Sequence, residues 1–373
     1  MRSPFRDRPG AVEQPDSFDP GVPAHYGGPF AEQRALAEGR AIVDLGGLRV
    51  LSVSGADRLR WLDSMSSQAL SRLRPGDSAE TLFLDPNGRI LHAVRALDDG
   101  ETTWLLAEQG DAAELEEWLR KMVFTLRVEI TDRSEDRHVI AVFPGELADS
   151  LVAATEADVP LVWTDPWPSV QEGGWQYATG AHAGGDFAPR FVLVDDAEYT
   201  RLAATAPVAG ALALEALRIA AWRPRGAAEV DARTIPHEVD WLRTAVHLTK
   251  GCYRGQETVA KVHNLGRPPR RLVLLQIDGS DGRLPDAGAS IVTDDAPDKQ
   301  IGRVTSSARH YELGPIALAL VKRNLAVDAM LVLDPEGVRA LAAQEVIVPT
   351  DAGATADIPR LPRLGVPKTD SKP

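Results

Sequence analysis

An α+β chain of more than one part, ending in a small β-barrel, is what this sequence predicts. Three observations lead there. Apolar residues at helical spacing alternate with short apolar runs that are separated by tight-turn peptides. The 373-residue length exceeds one ordinary domain, and 44% hydrophobic content is enough for a large buried core. From about Arg267 onward helical spacing stops, and short strand-like runs between Gly, Pro and Asp turns take over.

The elements follow in order. Residues 1–30 are rich in Pro, Gly and Asp without periodicity, and read as a disordered leader. The α+β region then runs over 31–266. Leu59, Leu62 and Met65 behind Ser54–Asp57 make a short amphipathic helix with a polar start. Leu82–Leu84, Ile90–Leu97 and Trp104–Ala107, separated by DPNG and DDG, read as antiparallel strands. Asp111 and Glu114 open a helix whose stripe is Leu115, Trp118, Leu119 and Met122. Trp163 to Pro207 is assigned no elements, because its tryptophans fall among Pro and Gly. Leu212 to Ile219 form an Ala-rich helix that Pro224 stops. Arg267, Arg270 and Arg271 in GRPPRR read as a solvated linker, with the gripping of an anionic partner as the alternative. The barrel spans 267–350, beginning with the strand Leu272–Ile277, and 351–373 reads as a flexible tail.

Bulk properties narrow the function. A net charge of −13 argues against a global grip on nucleic acid or an anionic membrane. No apolar run is long enough to span a bilayer and the N-terminus lacks a signal-peptide core, so a soluble, cytoplasmic protein is expected. One cysteine in the chain excludes an intrachain disulfide. There is no phosphate loop and no dinucleotide fingerprint; Trp241 stands where a zinc-protease helix beginning at His237–Glu238 needs its second His, and no metal site is expected.

The chemistry concentrates in Lys250, Gly251, Cys252, Tyr253, Arg254, Gly255, Gln256 and Glu257. Cys252 lies in a polar, basic, glycine-bracketed run, where a thiol is placed for use rather than packing. Cations and a helix N-terminus both favour thiolate. Lys250 and Arg254 flank the thiol, and Gln256–Val262 has the character of a helix starting just beyond it. Gly251 and Gly255 imply a tight turn or a close approach.

The string KGCYRGQE followed by VAKVHNLG resembles the signature of the YgfZ family, relatives of the T-protein of the glycine cleavage system. The stretches VDLGGLRVLSVSGADRLRWLD, LEALRIAAWRPR, IPHEVDW and LGPIALALVKR extend the resemblance. It implies a T-protein-like three-part cloverleaf around a folate-sized hole, with Cys252 at or near that hole. It also implies a tetrahydrofolate-type cofactor and, as partners, iron–sulfur client enzymes or assembly factors. The paired Asp residues of the aminomethyltransferase pattern are absent: the stretch here is Gly88, Arg89, Ile90, Leu91, His92, Ala93, with His92 read as structural. The expectation is therefore an accessory protein, not a turnover enzyme, that assists iron–sulfur cluster assembly or repair through Cys252. The alternatives are a folate-dependent one-carbon transferase and a folate-binding scaffold or sensor without thiol chemistry.

Overall fold

The computed structural model describes residues 3–14, 19–280, 282–334 and 339–356. Among the described residues, three larger sheets carry the fold. The first runs Ser78–Leu84, Ile90–Asp98, Thr102–Glu108, Leu48–Ser54, Glu129–Asp132, with every pairing antiparallel. Its turns follow from short acidic side chains. The Asp85 carboxylate accepts from the Asn87 and Arg89 amides at 2.7 and 2.9 Å, and Gly88 takes the left-handed conformation that ends the turn (φ 73°). Asp99 does the same for the Glu101 and Thr102 amides at 2.8 and 2.6 Å.

Strand alternation sorts this sheet's faces. His92, Val94 and Ala96 lie on one side, under the helices Arg58–Met65 and Gln109–Lys121; Trp61, Leu62, Leu115 and Leu119 join Val94 and Ala96 in one buried cluster. Each such large side chain contributes about 2 kcal/mol by burial. Leu91, Ala93 and Arg95 lie on the other side, toward the middle of the molecule.

The second sheet runs Val162–Thr164, Arg190–Val194, His138–Val142, Ile42–Asp44, Val208–Ala209; only the last pairing is parallel. The stretch assigned no elements thus contributes two of its strands, the helix Asp196–Thr205 and two fully buried tryptophans, Trp163 and Trp167. Their indole N–H groups donate to the Ala79 and Ala221 carbonyls at 2.8 Å each. The helix Ala211–Ala220 ends before Pro224, as its sequence requires.

The disordered leader is corrected. Phe5 is fully buried against the Tyr199 ring (5.3 Å), the Ser3 hydroxyl donates to Asp44, and the Arg8 guanidinium donates to the Ala203 and Ala206 carbonyls. Val12 pairs with His25, and the helix Pro29–Ala37 has already begun by residue 30. Isolated anchors in a Pro- and Gly-rich string fix the segment without any periodicity. Residues 1, 2 and 15–18 of that segment lie outside the described residues.

The third sheet is a closed barrel in the order Arg270–Ile277, Gly314–Lys322, Gly302–His310, Ser290–Thr293, Leu331–Asp334, Ala340–Val346. Val273, Leu275 and Ile277 fill its interior, while Leu272 and Leu274 pack against the rest of the chain, so the first strand is apolar on both faces. GRPPRR is not a solvated linker. Arg267 is exposed, but Arg270 pairs with Asp231 (2.6 Å) and Glu238 (2.8 Å), and buried Arg271 donates to the Leu325 carbonyl and the Gln344 side chain. Both open the first barrel strand. Of the expected tail, Ala354 to Ala356 donate to the carbonyls of Val262, His263 and Asn264; residues 357–373 lie outside the described residues. Among the described residues no helix is long and apolar enough to cross a membrane.

Candidate functional site: an exposed cysteine loop and a central ionic cavity

The signature octapeptide forms a loop leading into the helix Gln256–Asn264, and Cys252 is exposed on it. The loop is held from three directions. Lys250 does not lie on the surface beside the thiol. Its ammonium turns inward and donates to the carbonyls of Asp63 (2.6 Å), Ser66 (2.9 Å) and Gln68 (2.6 Å), with the Asp63 carboxylate at 3.3 Å. Those carbonyls lie at and beyond the C-terminal end of the helix Arg58–Met65, where a cation is favoured. Burial lowers the Lys250 pKa, and Asp63 opposes the shift only in part.

Tyr253 is buried with its ring 5.4 Å from the Lys250 ammonium; burial alone raises its pKa, and its hydroxyl has no partner among the described residues. The Gln256 side-chain amide donates back to the Lys250 and Gly251 carbonyls at 3.2 and 3.3 Å. Gly255 meets both requirements that favour glycine: it is left-handed (φ 84°), and a Cβ there would lie 2.6 Å from the Asp85 carbonyl oxygen and 3.1 Å from the Gly88 Cα. The DPNG turn is thus pressed against the loop. Gly251, Arg254 and Glu257 are exposed beside Cys252. Behind the helix, fully buried His237 holds the Val259 carbonyl at 3.1 Å.

Cys252 is not among the residues lining the central cavity. The hairpin Ser78–Leu84/Ile90–Asp98 links the two. Its turn touches Gly255, and five residues further along, about 16 Å at the rise of a strand, Ala93 and then Arg95 reach the cavity region.

The cavity itself, about 50 Å³, is walled by charge. Arg218 pairs with Glu215 and with Glu229 (3.1 Å). Arg223 pairs with Glu80 (2.7 Å) and Asp165 (3.1 Å), and Arg225 with Asp19 (2.6 Å) and Glu108 (3.0 Å). Arg95 makes no ion pair or hydrogen bond among the described residues. Its guanidinium carbon lies 5.1 Å from the Phe191 ring centre and 5.7 Å from that of Trp163, and its Nε is buried without a partner. Burial lowers its pKa against the pull of Glu108. A larger hollow of about 840 Å³ shares Asp19, Ala211 and Glu215 with this cavity and reaches the barrel. His92 points away, 2.5 Å from Asp111 and edge-on to Phe83; Ala93 is the member of that pair that faces inward. Among the described residues no three His, Cys, Asp or Glu side chains converge as a metal site.

Arg95 was missed from the sequence, although one signal was available: it shares a strand face with Ala93 and Leu97, a cation inside an apolar alternation. Arg218, Arg223 and Arg225 stood in view in LEALRIAAWRPR, but nothing local shows that they converge.

The family description "GCVT N-terminal domain" matches residues 9–177, and "Glycine cleavage T-protein C-terminal barrel domain" matches 270–349. The chain belongs to the glycine cleavage T-protein and YgfZ family. Within that family it is 28% identical to an aminomethyltransferase of Herpetosiphon aurantiacus, over 81% of this chain and 84% of that one. It is 25% identical to the tRNA-modifying protein YgfZ of Shigella dysenteriae, over 70% and 80%. It is 28% identical to the mitochondrial iron–sulfur cluster assembly factor IBA57 homolog of Mycosarcoma maydis, over 61% of this chain and 54% of that one. The fold is that of the aminomethyltransferase T structure from Bartonella henselae (TM-score 0.67, 17% identity, 94% and 97% covered). The T-protein-like cloverleaf with its C-terminal barrel is thereby established.

Proposed function

We infer that this member of the T-protein and YgfZ family is a folate-binding accessory protein that assists iron–sulfur cluster assembly or repair in client enzymes. Cys252 is its working residue. The observation that carries this reading is an exposed thiol on a loop whose neighbours are fixed by Lys250, Gln256 and Gly255. A thiol meant for packing would be buried; one meant for a large partner needs a fixed, accessible position. A single cysteine cannot by itself hold a cluster through four thiolates, so the contact is transient or shared with the partner. The IBA57 relative, an iron–sulfur cluster assembly factor, supports the same role.

Tetrahydrofolate or a derivative is the cofactor of this reading. The cavity fits one edge of such a ligand: Arg95 Nε and Arg223 Nη2 are buried donors without partners, carboxylates and the Phe187 and Phe191 rings stand around them, and the adjoining hollow is large enough for the remainder. Bound there, the folate supplies a one-carbon carrier or a redox-sensitive ring; the chain's own residues orient it.

The aminomethyltransferase relative favours a second reading, folate-dependent one-carbon transfer. Against it, Ala93 and His92, the latter turned away from the cavity toward Asp111, replace the carboxylate pair, and the cavity carboxylates Glu108 and Asp165 are held by arginines. The test is the activity of an iron–sulfur enzyme in cells lacking this protein, restored by wild type and by Cys252→Ala. Rescue by wild type alone supports the accessory role and the thiol. Rescue by both removes the thiol from it, and an unchanged deletion strain removes the role for that client. Methylene transfer to tetrahydrofolate by the purified protein would favour the second reading.

A further inference from the structure

We propose that residues 179–189 form a strap that closes the central cavity, and that one hydrogen bond between His182 and buried Asp240 is its latch. The identity of the ligand admitted rests on the folate reading; the closure does not.

The need for a moving wall comes from size. The cavity, about 50 Å³, has room for a few water molecules and not for a metabolite. A ligand enters only if part of the wall moves. Most of that wall is fixed. Arg95, Glu108 and Phe191 sit in paired strands, Arg218 in the helix Ala211–Ala220, and Asp165 is held by Arg223. Phe187 and Pro189 differ, because they come from the irregular stretch before the strand Arg190–Val194, whose one regular piece is the short 3-10 turn Ala183–Asp186.

Among the described residues, one hydrogen bond joins 179–188 to the rest of the chain: His182 Nε2 to the Asp240 carboxylate, 3.2 Å. The other bonds of the stretch are internal. The Gly184 amide donates to His182 Nδ1 at 3.0 Å, and the Gly185 and Phe187 amides donate to the His182 and Gly184 carbonyls. Because Nδ1 accepts, the ring proton sits on Nε2 and is donated to Asp240. The latch points inward from an exposed stretch. The His182 side chain is 6% exposed, whereas Gly180, Ala181, Ala183 and Gly185 are exposed. Its ring stands edge-on to Trp167 (5.3 Å) and Trp222 (5.0 Å), and a Cβ on Gly184 would lie 2.4 Å from the Trp167 indole.

Asp240 is fully buried, and its Oδ1 has no partner. Without His182 its nearest cation is the Arg243 Nε at 3.8 Å, beyond hydrogen-bond reach. Opening therefore leaves a buried carboxylate short of a donor, which keeps the strap shut by default. Phe187 adds an apolar hold, its ring 5.5 Å from that of Phe143. Gly180, Gly184 and Gly185 give the backbone the freedom to swing, and lifting Phe187 opens the cavity beside Phe191.

The experiment uses His182→Phe, which keeps a ring between Trp167 and Trp222 and removes the N–H. Amide hydrogen exchange of residues 179–188 is compared with that of the strand Arg190–Val194. Binding of 5-formyltetrahydrofolate is followed by stopped-flow tryptophan fluorescence. Loss of a hydrogen bond to a charged group should speed exchange in the strap by about 10- to 100-fold and leave the strand unchanged. Association and dissociation of the probe should both speed up, with Kd changing little. Strap exchange equal to wild type overturns the latch. Faster exchange with unchanged probe kinetics overturns the closure of the cavity. Wild type that does not bind the probe removes the folate reading, and acrylamide quenching of tryptophan then decides the strap: it should rise in the variant as fully buried Trp167 is uncovered, and equal quenching overturns the proposal. If His182→Phe does not fold, as judged by circular dichroism, Asp240→Asn is read in the same way. It keeps an acceptor at a left-handed position (φ 59°) that Asn tolerates, and should speed strap exchange by about 3- to 10-fold.

Discussion

Replacing Lys250 with methionine keeps the volume of the side chain and removes one ammonium, and the structure lets the cost be worked out. Three carbonyls, those of Asp63, Ser66 and Gln68, lose a charged donor. At about 2 kcal/mol for each hydrogen bond to a charged group, the gross loss is about 6 kcal/mol. An opposing effect reduces it. The Lys250 pKa is lowered because burial outweighs the attraction of Asp63, so the folded state spends free energy to keep that charge, and methionine removes this cost. A net loss of about 3 kcal/mol is expected. It should also be local, because the same ammonium connects the signature loop to the end of the helix Arg58–Met65. Urea denaturation followed by tryptophan fluorescence measures the first quantity. Amide hydrogen exchange across residues 248–257 measures the second, and those amides should exchange faster in the variant than those of the barrel strands. A stability change below about 1 kcal/mol with unaltered exchange in the loop would refute the reasoning, since Lys250 would then be an ordinary surface lysine.

Three further outcomes follow from the same contacts. Burial pulls the His237 pKa down to about 3. A base whose folded pKa is depressed contributes full stability above its unfolded pKa of about 6.5 and loses it as pH falls toward 3, at up to about 1.4 kcal/mol per unit. His247, His263 and His310 shift the same way, so the difference between wild type and His237→Gln in acid urea melts isolates the His237 share. Gly255→Ala places a Cβ 2.6 Å from the Asp85 carbonyl oxygen at positive φ and should cost about 2 kcal/mol or more; a variant as stable as wild type in thermal melts contradicts the close approach. Glu229 is fully buried and accepts from Arg218, the Arg225 amide, Thr305 and Ser306, which joins the central region to the barrel. Glu229→Gln, with one acceptor oxygen in place of two, should cost about 2–4 kcal/mol and expose residues 264–269 to limited proteolysis; resistance equal to wild type counts against that role.

The readable parts of this fold are those whose causes are local. The DPNG and DDG turns, the stripe of Leu115 and Leu119, and the stop at Pro224 each act over a few residues, and the elements around them form where their pattern says. The second sheet was hidden because its strands are short and distant: Ile42–Asp44 pairs with His138–Val142, which pairs with Arg190–Val194, and no periodicity over a few residues signals such partners. The leader was misread for a related reason. Its attachment depends on single residues such as Phe5 and Ser3, whose partners lie far along the chain at Tyr199 and Asp44. In the site, the signature itself was conspicuous, and so was the loss of the carboxylate pair. What Lys250 does was not, since a lysine beside a cysteine looks like a surface cation until the carbonyls of another helix end are found beneath it. Arg95 has the same difficulty in reverse: its significance lies in lacking a partner, which only the assembled cavity reveals.

The hairpin Ser78–Leu84/Ile90–Asp98 also relates the cysteine loop to the cavity. Its turn is packed under Gly255, and its second strand delivers Arg95 to the cavity and Ala93 to the small pocket beside it. Seven residue pairs, from Ser78↔Leu97 to Leu84↔Ile90 with a bulge at Leu91, join the two strands. In an aminomethyltransferase-like design the working group would belong beside the folate nitrogens, where this chain has Ala93. An exposed Cys252 on a loop is open to a second, larger molecule approaching from outside, which is what the proposed accessory role requires.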